Sequence, residues 1–141
     1  LSSARETREH TRLLHALRHA FQRERLFLVY QPQVALDTGR VTGVEALLRW
    51  RAEDGRYIPP DRFLPIAESS GLIIELGAWV LRDALRALQT LRVQGHEGLR
   101  MSVNVSAQQF SHPDFVPDLE AALAQEPGSE GLLELEITES V

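Results

Sequence analysis

Hydrophobic positions recur along this chain in two periods, and the switches between them divide it into elements. Over about residues 6–24, Leu14, Leu17 and Phe21 fall at i, i+3 and i+7, the stripe of a helix with one buried face. Leu26-Phe27-Leu28-Val29-Tyr30 follows almost at once and predicts a strand ending near Leu36. Asp37-Thr38-Gly39-Arg40 is a turn signal, and a second strand is predicted over residues 41–51. So short a connection demands antiparallel pairing, because a parallel pair needs a crossover of roughly a dozen residues or more.

The period then changes. Pro59-Pro60-Asp61 opens a short helix carrying Phe63, Leu64, Ile66 and Ala67, and Ser69-Ser70-Gly71 stops it. Residues 72–94 form a longer helix, with Leu76, Val80, Leu81, Ala84, Leu85, Leu88 and Leu91 recurring at threes and fours. Gly95 stands where a helix C-terminal cap belongs. A third strand is predicted over residues 99–105. Ser111 or His112 ahead of Pro113 starts a helix with the proline in its first turn, running to about residue 125. Pro127-Gly128-Ser129 breaks it, and residues 132–138 read as a fourth strand. From the second strand onward the order is β–α–β–α–β, which implies a parallel sheet. A helix is expected to cover each strand of such a sheet, and none is predicted after the fourth. A (β/α)₈ barrel takes roughly 250 residues. The expectation is therefore an α/β chain forming about half of a (β/α)₈ TIM-type barrel, with its first strand antiparallel.

Composition narrows the chemistry. The 141 residues are 43% hydrophobic and 25% charged, ordinary for a globular domain with a core. The absence of cysteine excludes disulfides, thiolate metal sites and cysteine nucleophiles. No run of about 18 apolar residues is present, so no membrane span is expected within this segment. The polar first ten residues lack the apolar stretch of a signal peptide. A net charge of −5 argues against binding a nucleic acid duplex. The arginines of the first helix, Arg5, Arg8, Arg12 and Arg18, read as a solvated face. His15 and His19 on that helix have metal-compatible spacing but no acidic third ligand beside them in sequence. Trp50 and Trp79 read as core or near-core.

Alternation along the strands sorts residues by face. Glu45, Leu47 and Arg49 share one side of the second strand, opposite Val44, Ala46, Leu48 and Trp50. Ser102, Asn104 and Ser106 share a side of the third, and Glu134, Glu136 and Thr138 a side of the fourth. Helices on a parallel sheet take the apolar side, which turns the polar sides toward each other inside a curved sheet. Two readings stand. Glu45, Asn104 and Glu136 hold a hard, oxygen-ligated cation such as Mg²⁺, Mn²⁺ or Ca²⁺, or they form a network of satisfied polar groups. Arg49 is either a salt-bridge partner of Glu45 or Glu136, or a clamp for phosphate oxygens.

Five motifs in order resemble one family. Tyr30-Gln31-Pro32, Glu45-Ala46-Leu47-Leu48-Arg49-Trp50, Phe63-Leu64-Pro65-Ile66-Ala67-Glu68, Asn104-Val105-Ser106-Ala107-Gln108-Gln109-Phe110 and Glu134-Leu135-Glu136-Ile137-Thr138-Glu139-Ser140 are similar to those of the EAL domain family. These are bacterial phosphodiesterases that hydrolyse cyclic di-GMP to linear pGpG. The resemblance implies a (β/α)₈-type barrel with its first strand antiparallel. Residues 1–25 then look like a connector helix from an upstream GGDEF or sensory domain, and residues 26–141 like the N-terminal half of the barrel. It implies Glu45, Asn104 and Glu136 as ligands of Mg²⁺ or Mn²⁺, with Ca²⁺ substituting or inhibiting. Gln31, Leu47 and Arg49 would contact the nucleotide, and Glu139 would support the site. The family's remaining residues, an aspartate pair, a lysine, a glutamate and a glutamine, have no match here, so this segment alone is expected to be inactive. The whole protein is expected in the cytoplasm, with any membrane tether outside this segment. A non-catalytic cyclic di-GMP receptor and a partner-binding module are the alternatives.

Overall fold

The computed structural model describes residues 2–138 of the chain. Helix α1 (Ser2–Gln22) buries Leu17 and Ala20, with Leu13 and Phe21 packed alongside. It begins earlier and ends sooner than the apolar stripe predicts. Glu24 takes left-handed backbone (φ 57°), which turns the chain directly into β1 (Leu26–Val34). That strand stops short of Leu36 because Ala35 already belongs to the turn, its N–H donating to the Arg40 carbonyl at 2.9 Å and its carbonyl accepting from the Gly39 N–H at 2.8 Å. β2 (Val41–Arg51) pairs with it antiparallel, as the short turn demands, from Leu26 opposite Trp50 to Gln31 opposite Glu45.

A two-residue strand, β3 (Tyr57–Ile58), pairs with Arg51 and Trp50; it is too short to show an alternation in sequence. Helices α2 (Pro60–Ser70) and α3 (Leu72–Val93) then meet at a bend of 119°. Gly71, at φ 83°, makes that bend in a backbone region that side chains with a Cβ resist. β4 (Arg100–Ser106) runs parallel to β2.

The single helix expected around Pro113 is instead two. A short α4 (Ala107–Phe110) starts at once after β4, because the Ser106 hydroxyl accepts the Gln109 amide at 3.1 Å and caps it. Pro113 falls in the break, where a proline disfavours helical backbone in the residue before it. α5 (Phe115–Ala124) begins two residues later. A 3₁₀ turn at Glu130–Leu132 leads into β5 (Leu133–Thr138), parallel to β4. The sheet order is β1-β2-β4-β5, with β3 attached to β2. The parallel part is the β2–β4–β5 run that the alternation of elements implies.

Two apolar clusters fix this arrangement. Val44, Ala46, Met101, Val103 and Val105 from the strands pack on Leu81, Ala84, Leu85 and Leu88 of α3 and on Phe115 and Ala122 of α5. Trp50, Phe63, Ala67 and Leu76 form the second with Leu17 and Ala20 of α1, the Trp50 and Phe63 rings meeting edge to face at 5.5 Å. Each fully buried Val, Leu, Met or Phe side chain among them contributes about 1.5–3 kcal/mol. The helices therefore cover the apolar side of the sheet and leave Glu45, Asn104 and Glu136 on the other. Among the described residues no single helix is long and apolar enough to cross a membrane.

Tyr30 lies on the covered side, opposite Ala46. Burial, reinforced by the Asp83 carboxylate and opposed by Arg86, pushes its hydroxyl up to about 12. The folded state thus favours the neutral phenol. Its contribution to stability is complete below the ordinary tyrosine value near 10 and is lost as pH rises toward 12. Subtracting the phenolate absorbance titration of Tyr30→Phe from that of the wild type should leave a midpoint near 12. A midpoint near 10 would show that this packing is looser than described.

Candidate functional site

Strand pairing lays the polar side out in rungs. Gln31, Glu45, Ser102 and Glu134 are successive partners across β1, β2, β4 and β5. One step further along, Asn104 is paired with Glu136. Asn104 Nδ2 donates to Glu45 Oε2 at 3.0 Å, so the amide reaches across the strands to the carboxylate. The two glutamates and the asparagine are thereby gathered into one patch. Below it, Glu134 is engaged by the Arg100 guanidinium, and by the Ser102 hydroxyl at 3.4 Å. That removes Glu134 from the donors open to a ligand.

The patch is more open than a closed barrel interior. Glu45 is half-buried, and Asn104 and Glu136 are exposed. Burial therefore does not by itself force a cation between them, and the case for one rests on donor chemistry. With its Nδ2 committed to Glu45, Asn104 keeps Oδ1 for another partner. Two carboxylates and one amide oxygen are hard donors that suit Mg²⁺ or Mn²⁺. Among the described residues no three His, Asp or Glu side chains cluster as a metal site, so the amide is indispensable to any such set. His15 and His19 are exposed on α1; His19 lies 3.7 Å from Glu53.

Arg49 stands on the same side, opposite Phe27 of β1. Its Nη1 donates to the Leu48 carbonyl at 2.9 Å. Among the described residues no carboxylate comes within ion-pair distance of it, so the salt bridge to Glu45 or Glu136 is not formed. Gln31 is exposed beside Glu45, and Leu47 is half-buried opposite Val29. Leu47, Arg49 and Asn104 line a pocket of about 160 Å³ between the strands and helices α2 and α3. Glu139 lies outside the described residues.

Sequence reasoning missed two neighbours of this patch. Arg51 stacks over Tyr57 at 4.9 Å and over Phe27 at 5.9 Å, beyond Arg49 on the same side. Gln109 is buried and lines the pocket. The Ser-x-x-Gln spacing of Ser106 and Gln109 is a helix-start signature that marks the second of these.

A mixed α/β sheet with a parallel β2–β4–β5 run, helices on one side and oxygen donors with a guanidinium on the other, makes this an α/β barrel-type chain with a polar inner patch. The chain belongs to the EAL domain family, whose model matches residues 14–141. It is 43% identical over 94% of its length to the bifunctional diguanylate cyclase/cyclic di-GMP phosphodiesterase MucR of Pseudomonas aeruginosa. It is 43% identical over 87% of its length to the cyclic di-GMP phosphodiesterase NbdA of the same organism. It covers 19% and 16% of those two proteins. The solved structure of the PaMucR phosphodiesterase in complex with c-di-GMP superposes with a TM-score of 0.86, over 92% of this chain and 52% of that one.

Proposed function

We propose that the protein carrying this chain is a cyclic di-GMP phosphodiesterase that hydrolyses the cyclic dinucleotide to linear pGpG with a metal-activated water. The observation that carries this reading is the 3.0 Å hydrogen bond from Asn104 to Glu45, with Glu136 in register beside Asn104. Glu45, Asn104 through Oδ1, and Glu136 are assigned as ligands of Mg²⁺ or Mn²⁺, with Ca²⁺ substituting or inhibiting. Such a cation, when bound, lowers the pKa of a water and offsets charge on phosphate oxygens. Glu45 is kept in place for it by the Asn104 amide. The Arg49 guanidinium takes the phosphate, Gln31 contacts the nucleotide beside Glu45, and Leu47 packs near a guanine. Three protein oxygens leave the remaining positions of a six-coordinate ion to water, substrate and further donors.

The same reading takes residues 1–25 as a connector helix to an upstream GGDEF or sensory domain, its second half seated on α2. Residues 26–141 are then the N-terminal half of the barrel. The protein works in the cytoplasm, and any membrane tether lies outside this segment.

The full-length protein should convert cyclic di-GMP to the linear dinucleotide, stop when divalent ions are chelated, and resume on adding Mg²⁺, as followed by chromatography of the products. The 141-residue chain alone should give no turnover. Hydrolysis undiminished after chelation would remove the metal from the scheme. Tight binding without any conversion would make the protein a receptor.

A further inference from the structure

Two grooves meet at His15 along the exposed side of α1, on the face of the sheet turned away from Glu45 and Arg49. Arg8, Arg12 and His15 border the first, together with Thr7 and Thr11. The second is a hollow of about 440 Å³ between α1 and the β2–β3 turn. Its apolar walls include Ala16 and Ala20 of α1, Trp50 of β2 and Ile58 of β3, and the basic side chains His15, His19 and Arg25 border it as well.

Arg8, Arg12, His15 and His19 follow one another at spacings of three and four, a line about 16 Å long on one side of the helix. Exposed arginines in a row are by themselves a solvated face. Two observations set this row apart. It runs into a hollow with an apolar floor, where Ala20 is 3% and Trp50 2% exposed. Arg25 is half-buried beside that floor, and among the described residues no carboxylate comes within ion-pair distance of Arg8, Arg12 or Arg25. A guanidinium drawn part-way out of water without a counter-charge loses hydration and gains nothing in return. Among the described residues, Glu53 alone brings a carboxylate to either groove, and it lies 3.7 Å from His19.

Cations beside an apolar hollow suit a segment that carries carboxylates around one large apolar side chain. Guanidinium groups take carboxylates in a planar fork, and a side chain anchored in a desolvated pocket carries much of the energy of a protein interface. A membrane surface would meet the arginines but leave the recessed hollow empty. The net charge of −5 disfavours a nucleic acid strand. We infer that this trough binds an acidic peptide segment of a partner protein, its carboxylates on Arg8, Arg12 and Arg25 and one large apolar side chain in the hollow between α1 and the β2–β3 turn. The inference uses no residue of the phosphodiesterase site and stands apart from that reading.

The test is the fluorescence anisotropy of a labelled peptide, one tryptophan flanked by glutamates, titrated with the full-length protein. Binding should saturate, and should weaken as salt is raised from about 50 to 500 mM. Arg25→Gln, and Arg8→Gln combined with Arg12→Gln, should each weaken it about 5- to 10-fold, the scale of one or two ion pairs near the surface. Replacing the peptide's tryptophan with alanine should weaken it by about tenfold or more, as for an anchoring side chain. Ala16→Trp, at an exposed position of α1, fills the hollow from outside the core and should erase the difference between the two peptides. No saturable binding, or equal binding by the wild type and the arginine variants, would overturn the inference. Equal affinity for the two peptides would do the same, because the attraction would then be charge alone. So would vesicles of phosphatidylglycerol that bind the wild type, spare the arginine variants and are not displaced by the peptide, since the row would then face a membrane.

Discussion

Glu45→Gln should lower kcat for cyclic di-GMP hydrolysis by about 10²- to 10³-fold, the loss seen when one transition-state-stabilising group is removed. Affinity for the dinucleotide should stay within about tenfold. The substitution keeps the shape of the side chain and its capacity to accept from Asn104 Nδ2. It removes the negative charge, and a neutral amide is a poorer ligand for a hard dication than a carboxylate. Glu45 is only half-buried and belongs to neither apolar cluster, so the midpoint of thermal unfolding should hardly move. Steady-state kinetics and equilibrium binding on one preparation separate the two quantities. Wild-type turnover in the variant would show that Glu45 is no ligand, and the Glu45–Asn104 pair would be an ordinary polar contact. Binding lost together with turnover would mean that Glu45 holds the nucleotide rather than the metal.

That this experiment could be framed from the sequence reflects which features have a period. Alternation placed Glu45, Asn104 and Glu136 on one side of their strands because Val44, Ala46, Met101, Val103 and Val105 must face α3 and α5. The turn at residues 37–40 fixed the antiparallel first pair because its shortness leaves no other geometry. What stayed hidden was set by contacts between distant segments. β3 has two residues and exists because Arg51 and Trp50 offer it an edge. The split of the expected helix into α4 and α5 comes from the Ser106 cap competing with Pro113 as a starting point. Nothing local announces that Gln109 will lie on Gly77, since the two meet only when α3 packs beside the end of β4. The openness of Asn104 and Glu136 also escapes a pattern argument, which sorts faces but does not say how deeply a face is covered.

Arg49 separates binding from chemistry in the opposite sense to Glu45. Arg49→Ala should weaken cyclic di-GMP binding by about 10- to 100-fold, the worth of a hydrogen bond to a charged group at about 1.5–3 kcal/mol. Its Nη1 bond to the Leu48 carbonyl sets the direction of the guanidinium. The group is half-buried, and among the described residues no carboxylate offsets its charge. A cation so placed is poised for an anionic ligand, and its remaining N–H groups form a planar fork that matches two phosphate oxygens. Lysine keeps the charge but not the fork, so Arg49→Lys should recover only part of the lost affinity. Because the contact exists before and during bond cleavage, both variants should raise KM more than they lower kcat. If Arg49→Lys binds as well as the wild type, the side chain acts as a simple charge and the paired geometry is irrelevant. If Arg49→Ala also binds normally, the phosphate is held elsewhere, and the guanidinium serves only to close the end of β2 through Leu48.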